Sequence, residues 1–434
     1  MSVLFTNAAV LTMDGSREPL KNAFVAVERH KITYVGAERP EGVFDRVVDC
    51  SGKVMMPGFV NAHTHLPMTL MRGYGGGHDL QTWLYDYIFP AEAKLDPRAV
   101  AAGTDLGLAE MIATGVTCVA DMYMHTGVIA DRIVKAGLSA NLSCGGVYFG
   151  AAEEFSPDKC NDCRNQQELT DSWHNYGGGQ IRVDASIHGE YTSNAPLWRW
   201  MSDYAQKHGL RMHAHISETV SEHQASISRH GRTPVQVLGD HGAWENGGIA
   251  AHCVYTTPED WEIMKDKSVT CVHNPWSNLK LGSGIAPVPA MLKAGVNVAL
   301  GSDGMSSHNS ADLFSDMKLA AALHCGAGRD PMAMGAWDAL EMATVRGARA
   351  LGRTDTGVIA PGYVADLILV DFTAPNLMPC HDPAENLVFS AHGSNVVMNM
   401  ARGQVIYENG EFFTIDLARV RSEVEGYALP LLFG

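Results

Sequence analysis

From about residue 57 to about residue 360 the chain alternates short apolar, strand-like runs with longer stretches of helical pattern, and few architectures accommodate that rhythm. Strands separated by helices read as parallel βα units, because a parallel pair needs a long crossover and a helix supplies it. Candidate strands fall at residues 60–63, 116–120, 139–143, 181–187, 210–213, 248–251, 268–272 and 296–300, with helical stretches such as 99–114, 196–208 and 312–324 between them. Eight such units over roughly 300 residues match a (β/α)8 barrel of the TIM type.

Both ends of the chain have a different texture. Short alternating runs at 23–27, 32–36 and 47–50, and again at 365–371, 396–400 and 404–407, are broken by Gly, Asp and Pro, which are strand and turn signals. The expectation is a small discontinuous β-sandwich of residues 1–56 with 362–434, enclosing a catalytic barrel of residues 57–361. A chain of 434 residues has room for one large core and a lesser one.

Composition narrows the function classes. No run reaches the roughly 18 uninterrupted apolar residues needed to cross a membrane. The first residues carry no basic group before their apolar run, so no secretory signal is expected and the cytoplasm is the expected address. Nine cysteines, an odd number without paired spacing, predict reduced thiols. Cys160 and Cys163 form one C-x2-C, but zinc needs four ligands and no second pair lies nearby, so a polar loop is expected there. A formal net charge of −16 disfavours nucleic acid and anionic membrane surfaces and favours a neutral or zwitterionic small molecule.

In such a barrel, catalytic groups sit where strands end. His63 and His65 stand two apart at the end of the first candidate strand, so both imidazoles face one side and can reach one ion. His215 follows the fifth strand and Asp303 closes the eighth. Three neutral imidazoles and a carboxylate suit zinc or ferrous iron and leave a position for water. Most of the 19 histidines will be surface or hydrogen-bonded residues, so the assignment rests on joint placement at strands one, five and eight. His213 competes with His215; His215 is preferred because Glu218 lies three positions on, where it could face the same water, which leaves His213 to support a ligand from behind or to packing. His252 ends the sixth strand and is assigned to polarising the attacked group or orienting the water. His188 and His273 end strands four and seven, the first a candidate substrate contact and the second a brace.

Pro57-Gly58-Phe59-Val60-Asn61-Ala62-His63-Thr64-His65, His252-Cys253-Val254, His273-Asn274-Pro275 and Gly301-Ser302-Asp303-Gly304 together resemble the amidohydrolase superfamily. The stretch from Ser277 through Val288, with Trp83 through Leu95, resembles its methylthioadenosine/S-adenosylhomocysteine deaminase branch. The resemblance spans nearly the whole chain. It implies a urease-like terminal sandwich around the barrel and hydrolytic deamination of a 6-aminopurine nucleoside. A single metal is implied, since no lysine ends strand four, where His188 stands. His63, His65, His215 and Asp303 resemble the ligands, Glu218 the group that protonates the ring nitrogen, and His252 the residue that polarises water. Trp83, Glu92 and His188 match positions lining the nucleoside pocket, with Glu92 resembling the carboxylate that grips ribose hydroxyls. One stretch departs from the pattern: Leu142-Ser143-Cys144-Gly145-Gly146 stands where members usually carry an arginine for a carboxylate tail. An insertion at roughly 153–179, containing Arg164, follows; it is a candidate pocket cover or subunit contact, and the oligomeric state stays open.

Two other readings compete. One keeps the site and changes the substrate to another aminoheterocycle of guanine, pterin or triazine type. The other is a non-catalytic metal-binding barrel, disfavoured because all four ligands and Glu218 are present.

Overall fold

The structure is a computed structural model that describes residues Ser2–Gly434. Five strands come first: β1 (Ser2–Val10), β2 (Leu20–Glu28), β3 (Lys31–Gly36), β4 (Arg46–Asp49) and β5 (Lys53–Pro57). The barrel strands follow as β6 (Phe59–Thr64), β7 (Val116–Met122), β8 (Ser139–Ser143), β9 (Ile181–Val183), β10 (Ala185–Ile187), β11 (Met212–Ile216), β12 (Gly248–His252), β13 (Val269–His273) and β14 (Val298–Leu300). Four more, β15 (Leu367–Asp371), β16 (Val396–Ala401), β17 (Gln404–Glu408) and β18 (Glu411–Phe412), return to the terminal sheet.

From β6 to β9 and from β10 to β14 the barrel strands are parallel neighbours in chain order, as βα units require. Every residue of β7, β8, β11, β12 and β13 is buried, the pattern of strands covered on both faces. Small and branched side chains such as Val60, Ala62, Ala120, Ile249, Val272 and Ala299 fill the lumen. Ala348 and Leu351, in and just after the helix Val345–Ala350, join them. The Arg353 guanidinium then donates to the Ala140, Gly179 and Gln180 carbonyls, which lie at the starts of β8 and β9. That end of the barrel is thereby sealed, and the opposite end is free for chemistry.

The fourth unit differs from the single strand expected over 181–187. Asp184 splits it: its own N–H donates to the Leu142 carbonyl of β8, while the next amide, Ala185, donates to the Arg211 carbonyl beside β11. A closed barrel staggers its strands, and here one strand changes partner midway to keep that stagger. Ring closure comes from the Asp303 N–H, which donates to the His63 carbonyl at 3.0 Å.

In the terminal sheet, β5 pairs antiparallel with β15 from Lys53↔Asp371 to Pro57↔Leu367, so the strands entering and leaving the barrel are zipped together. The sandwich core combines Phe5, Val25 and Ile32 from one end of the chain with Leu367, Leu369 and Met400 from the other. Residues from Leu417 onward, expected within the sandwich, are helical and lie against the barrel helix Pro97–Ala113, tied by Arg419 to Asp105 and by Arg98 to Glu423. No helix among the described residues is long and apolar enough to cross a membrane.

Burial raises the Asp184 pKa from 3.8 to about 6, against the Asn141 amide that donates to both its oxygens. The folded state therefore holds this proton more tightly than the unfolded state, and the residue costs stability as pH rises from the unfolded value through the folded one. Asp184→Asn removes that dependence. Its unfolding free energy relative to the parent protein should rise by about 2 kcal/mol between about pH 4.5 and about pH 7. Parallel denaturant curves at the two pH values measure this, and an unchanged difference excludes it.

Candidate active site and metal centre

Histidines and carboxylates converge at the C-terminal ends of the barrel strands, each held by a partner on its far side. His63, in the last turn of β6, shares a 2.8 Å hydrogen bond between its Nδ1 and His213 Nε2. His65 Nδ1 donates to the Met122 carbonyl at 2.6 Å, and His215 Nδ1 to the His188 carbonyl at 2.6 Å. With each Nδ1 occupied, the three Nε2 atoms turn inward. Asp303 Oδ1 lies 3.4 Å from His63 Nε2 and 3.2 Å from His65 Nε2, while its Oδ2 accepts from Ser277 Oγ at 2.6 Å and Ser307 Oγ at 3.0 Å.

His215, expected just past its strand, lies inside β11 together with His213. Both point toward His63, with ring centroids 4.9 Å and 5.0 Å away, but only His215 has its Nε2 near His65, at 3.4 Å. His213 touches the centre only through His63.

His252, the last residue of β12, donates from Nδ1 to Asn278 Oδ1 at 2.8 Å and presents Nε2 to Glu218 Oε2 at 3.7 Å. Its donor atom also groups with those of His63 and His215, so it stands among the inward-facing nitrogens and not behind them. Glu218 Oε1 accepts from Ser283 Oγ at 3.1 Å. The backbone around Glu218 is fixed by Glu222, whose carboxylate accepts from the Ser217 and Glu218 amides at 2.8 Å and 2.7 Å. Glu222 also completes a capping box with Thr219 at the helix Val220–His230.

His63 Nε2 is buried with no hydrogen-bond partner, a costly state for a polar atom unless a further group meets it. The donor atoms of His63, His65 and Asp303, and those of His63, His215 and His252, lie within 4.8 Å of one another. Imidazole nitrogens and a carboxylate in such a cluster fit a divalent metal.

Burial lowers the pKa of His63 to about 4. For His65 burial acts the same way, but the Asp303 carboxylate outweighs it and holds the value at about 9. Burial raises Asp121, which accepts from the Leu66 amide, to about 7. Burial, then the charge of Asp303, raises Glu218, with His252 opposing.

A cavity of about 430 Å³ opens onto this cluster. Trp83, Glu92 and His188 line it, as do His65, His215, Glu218, His252 and Asp303. Glu92 is buried and accepts from the Tyr123 hydroxyl at 2.6 Å, and His188 meets Thr192 Oγ1 at 3.0 Å. His273 does not line the cavity; its Nε2 faces His324 Nε2 at 3.2 Å, which braces the barrel mouth.

At the polar loop expected for Cys160 and Cys163 the structure has both cysteines buried, Cys160 at the N-cap and Cys163 in the first turn of the helix Asn161–Trp173, whose inward stripe is Cys163, Gln166, Leu169 and Thr170. Arg164 on that helix is exposed and bonds to the Asp158 carbonyl, away from the cavity. Its neighbour Asp162 lines the cavity instead. Glu222, Tyr123, Asn278 and Asp162 are the site residues that motif reading missed. Only Glu222 carried a local signal, in Thr219-Val220-Ser221-Glu222.

Residues 54–406 match the family described as the amidohydrolase family. The chain is 38% identical over 436 residues to the 5-methylthioadenosine/S-adenosylhomocysteine deaminase of Acetivibrio thermocellus, covering 100% of both chains. It is 39% identical to the 5′-deoxyadenosine deaminase of Methanosarcina mazei, over 99% of this chain and 98% of that one. Among solved structures, an adenosine deaminase from Xanthomonas campestris with bound zinc superposes with a TM-score of 0.93 at 32% identity, over 99% of this chain and 98% of that one. With its barrel, its strand-end histidines and these full-length similarities, the chain belongs to the amidohydrolase family.

Proposed function

We propose that the protein is a metal-dependent hydrolytic deaminase of a 6-aminopurine nucleoside, of adenosine, methylthioadenosine or S-adenosylhomocysteine type, that releases ammonia. The observation that carries this reading is the placing of a buried acid, Glu218, beside His252 and the metal-fitting cluster at one end of a cavity whose wall holds Glu92. The names of the similar proteins support the same substrate class.

In this reading His63, His65, His215 and Asp303 hold one divalent metal, zinc or ferrous iron, which supplies Lewis-acid activation of water. Asp303, its carboxylate oriented by Ser277 and Ser307, accepts a proton from the attacking water. The C6–O bond forms as Glu218 gives its proton to N1, so the ring nitrogen takes the displaced electron pair as a neutral N–H. Burial favours the protonated Glu218 that this step needs. His252, its ring fixed by Asn278, hydrogen-bonds the new oxygen at C6. Asp303 then passes its proton to the amine, the C6–N bond breaks, and the remaining hydroxyl proton returns to Glu218 as the carbonyl forms. Trp83 and His188 border the purine, and Glu92 grips the ribose hydroxyls.

Glu218→Gln keeps the shape and the metal but cannot donate the proton. The expected result is unchanged metal content with turnover reduced by a factor on the order of 10² or more, and near-normal turnover would refute the assignment. Glu92→Ala should lower kcat/KM for adenosine nucleosides while leaving any turnover of free adenine little changed; an equal loss on both removes Glu92 from ribose recognition. Ammonia release measured over adenosine, methylthioadenosine, S-adenosylhomocysteine, adenine, guanine and aminotriazines tests the substrate class itself. Turnover confined to guanine or the triazines would transfer the site to another aminoheterocycle.

A further inference from the structure

Beyond the catalytic cavity lies a second one of about 520 Å³, and Tyr123, Met124, Cys144 and Asp162 line both. Its far wall is the insertion helix Asn161–Trp173, with Glu168 and Trp173 facing it. Tyr123 is the residue whose hydroxyl holds Glu92, so this chamber opens beside the carboxylate that the reading above assigns to the ribose.

The charge of the joined space is one-sided. No lysine or arginine lines either cavity, whereas Asp162 and Glu168 do. The Asp162 carboxylate accepts from the Val147 amide at 2.8 Å, burial raises its pKa while the hydrogen bonds from Val147 and Asn165 oppose that, and no lysine or arginine pairs with it among the described residues. It sits in the first turn of its helix, where the macrodipole favours a negative charge. An anionic group entering the chamber would lose its hydration beside a like charge, with no lysine or arginine to compensate and His125 the one basic side chain in the chamber wall.

We propose that Asp162 is a specificity-determining residue for the group at the ribose 5′ position: the chamber admits neutral or ammonium-bearing tails and excludes carboxylate-bearing ones, which narrows the substrate class above to nucleosides other than S-adenosylhomocysteine. This rests on the nucleoside deaminase reading above.

The test uses three thioethers of adenosine that differ only in the tail: 5′-methylthioadenosine, 5′-S-(3-aminopropyl)-5′-thioadenosine and 5′-S-(2-carboxyethyl)-5′-thioadenosine. On the metal-loaded protein, kcat/KM for the aminopropyl compound should exceed that for the carboxyethyl compound by a factor on the order of 10 or more, the usual effect of one unpaired charge in a specificity pocket. With kcat/KM for methylthioadenosine as the internal reference in each protein, Asp162→Asn should shrink that ratio severalfold by raising the relative value for the carboxyethyl compound and lowering it for the aminopropyl one. Equal kcat/KM for the two charged tails in the unaltered protein overturns the proposal without reference to any variant. So does an unchanged ratio in Asp162→Asn with methylthioadenosine turnover intact. If the variant loses methylthioadenosine turnover, Glu168→Gln, on the same wall, replaces it, and an unchanged ratio there also counts against an acidic chamber. Failure of all three thioethers to release ammonia, while free bases do, overturns the nucleoside reading and this proposal with it.

Discussion

The hydrogen bond from the Asp303 amide to the His63 carbonyl closes the barrel between β14 and β6, and the active site depends on that same contact. A sheet of parallel strands has two unpaired edges until its last strand returns to its first. Here the closing residue also carries a ligand-type carboxylate, so completion of the fold brings Asp303 Oδ1 to within 3.4 Å of His63 and 3.2 Å of His65. The join needs a close approach: a Cβ on Gly301 would stand 2.5 Å from Asn274 Oδ1 and 2.9 Å from the Cβ of His63. Asp303 then adopts a left-handed backbone, φ 59°, which costs about 1 kcal/mol and turns its side chain into the mouth.

Such a cluster carries a penalty of its own, because burying several imidazoles together disfavours charge on any of them. Burial and neighbouring histidines depress His215 and His213, and burial depresses His188 to about 4. The structure offsets this with backbone carbonyls and a neutral amide, and at His65 with the Asp303 carboxylate, which holds the pKa of that imidazole at about 9. Met122 and His188 carbonyls and the Asn278 amide oxygen each take an Nδ1 proton and fix the tautomer that leaves Nε2 free. Neutral, oriented imidazoles are the form in which histidine binds metal, so the burial that would destabilise a charged cluster prepares this one.

How much of this was legible in the sequence follows from the range of each interaction. His63, His65, His252 and Asp303 were readable because barrel chemistry sits at strand ends and strand ends can be read from apolar runs. The partition of strand four at Asp184 was not, since it depends on the stagger of strands 142 and 211, far apart in sequence. Tyr123 and Asn278 act through partners 31 and 26 positions away, Glu92 and His252, and no local pattern marks them. The polar loop expected at Cys160 and Cys163 is helical from Asn161; the outer face of this helix is strongly polar, and only its buried stripe at helical spacing distinguishes it from a loop.

The site itself is divided in the same physical terms. Groups near C6 of the proposed substrate hang from β6, β11, β12 and the turn after β14, which are buried on all sides and cannot shift without disturbing the barrel. Groups at the ribose end come from connections: Glu92 from the segment after β6, and Cys144 and Asp162 from the segment after β8. Loops on a rigid scaffold tolerate insertion and replacement far better than strands do. A change in the 5′ tail therefore needs only a new wall on the outer chamber, whereas a change in the bond broken needs a new set of strand ends. The residues from 153 to 179 contact the first kind of surface, which is why an insertion of that length can coexist with an intact catalytic end.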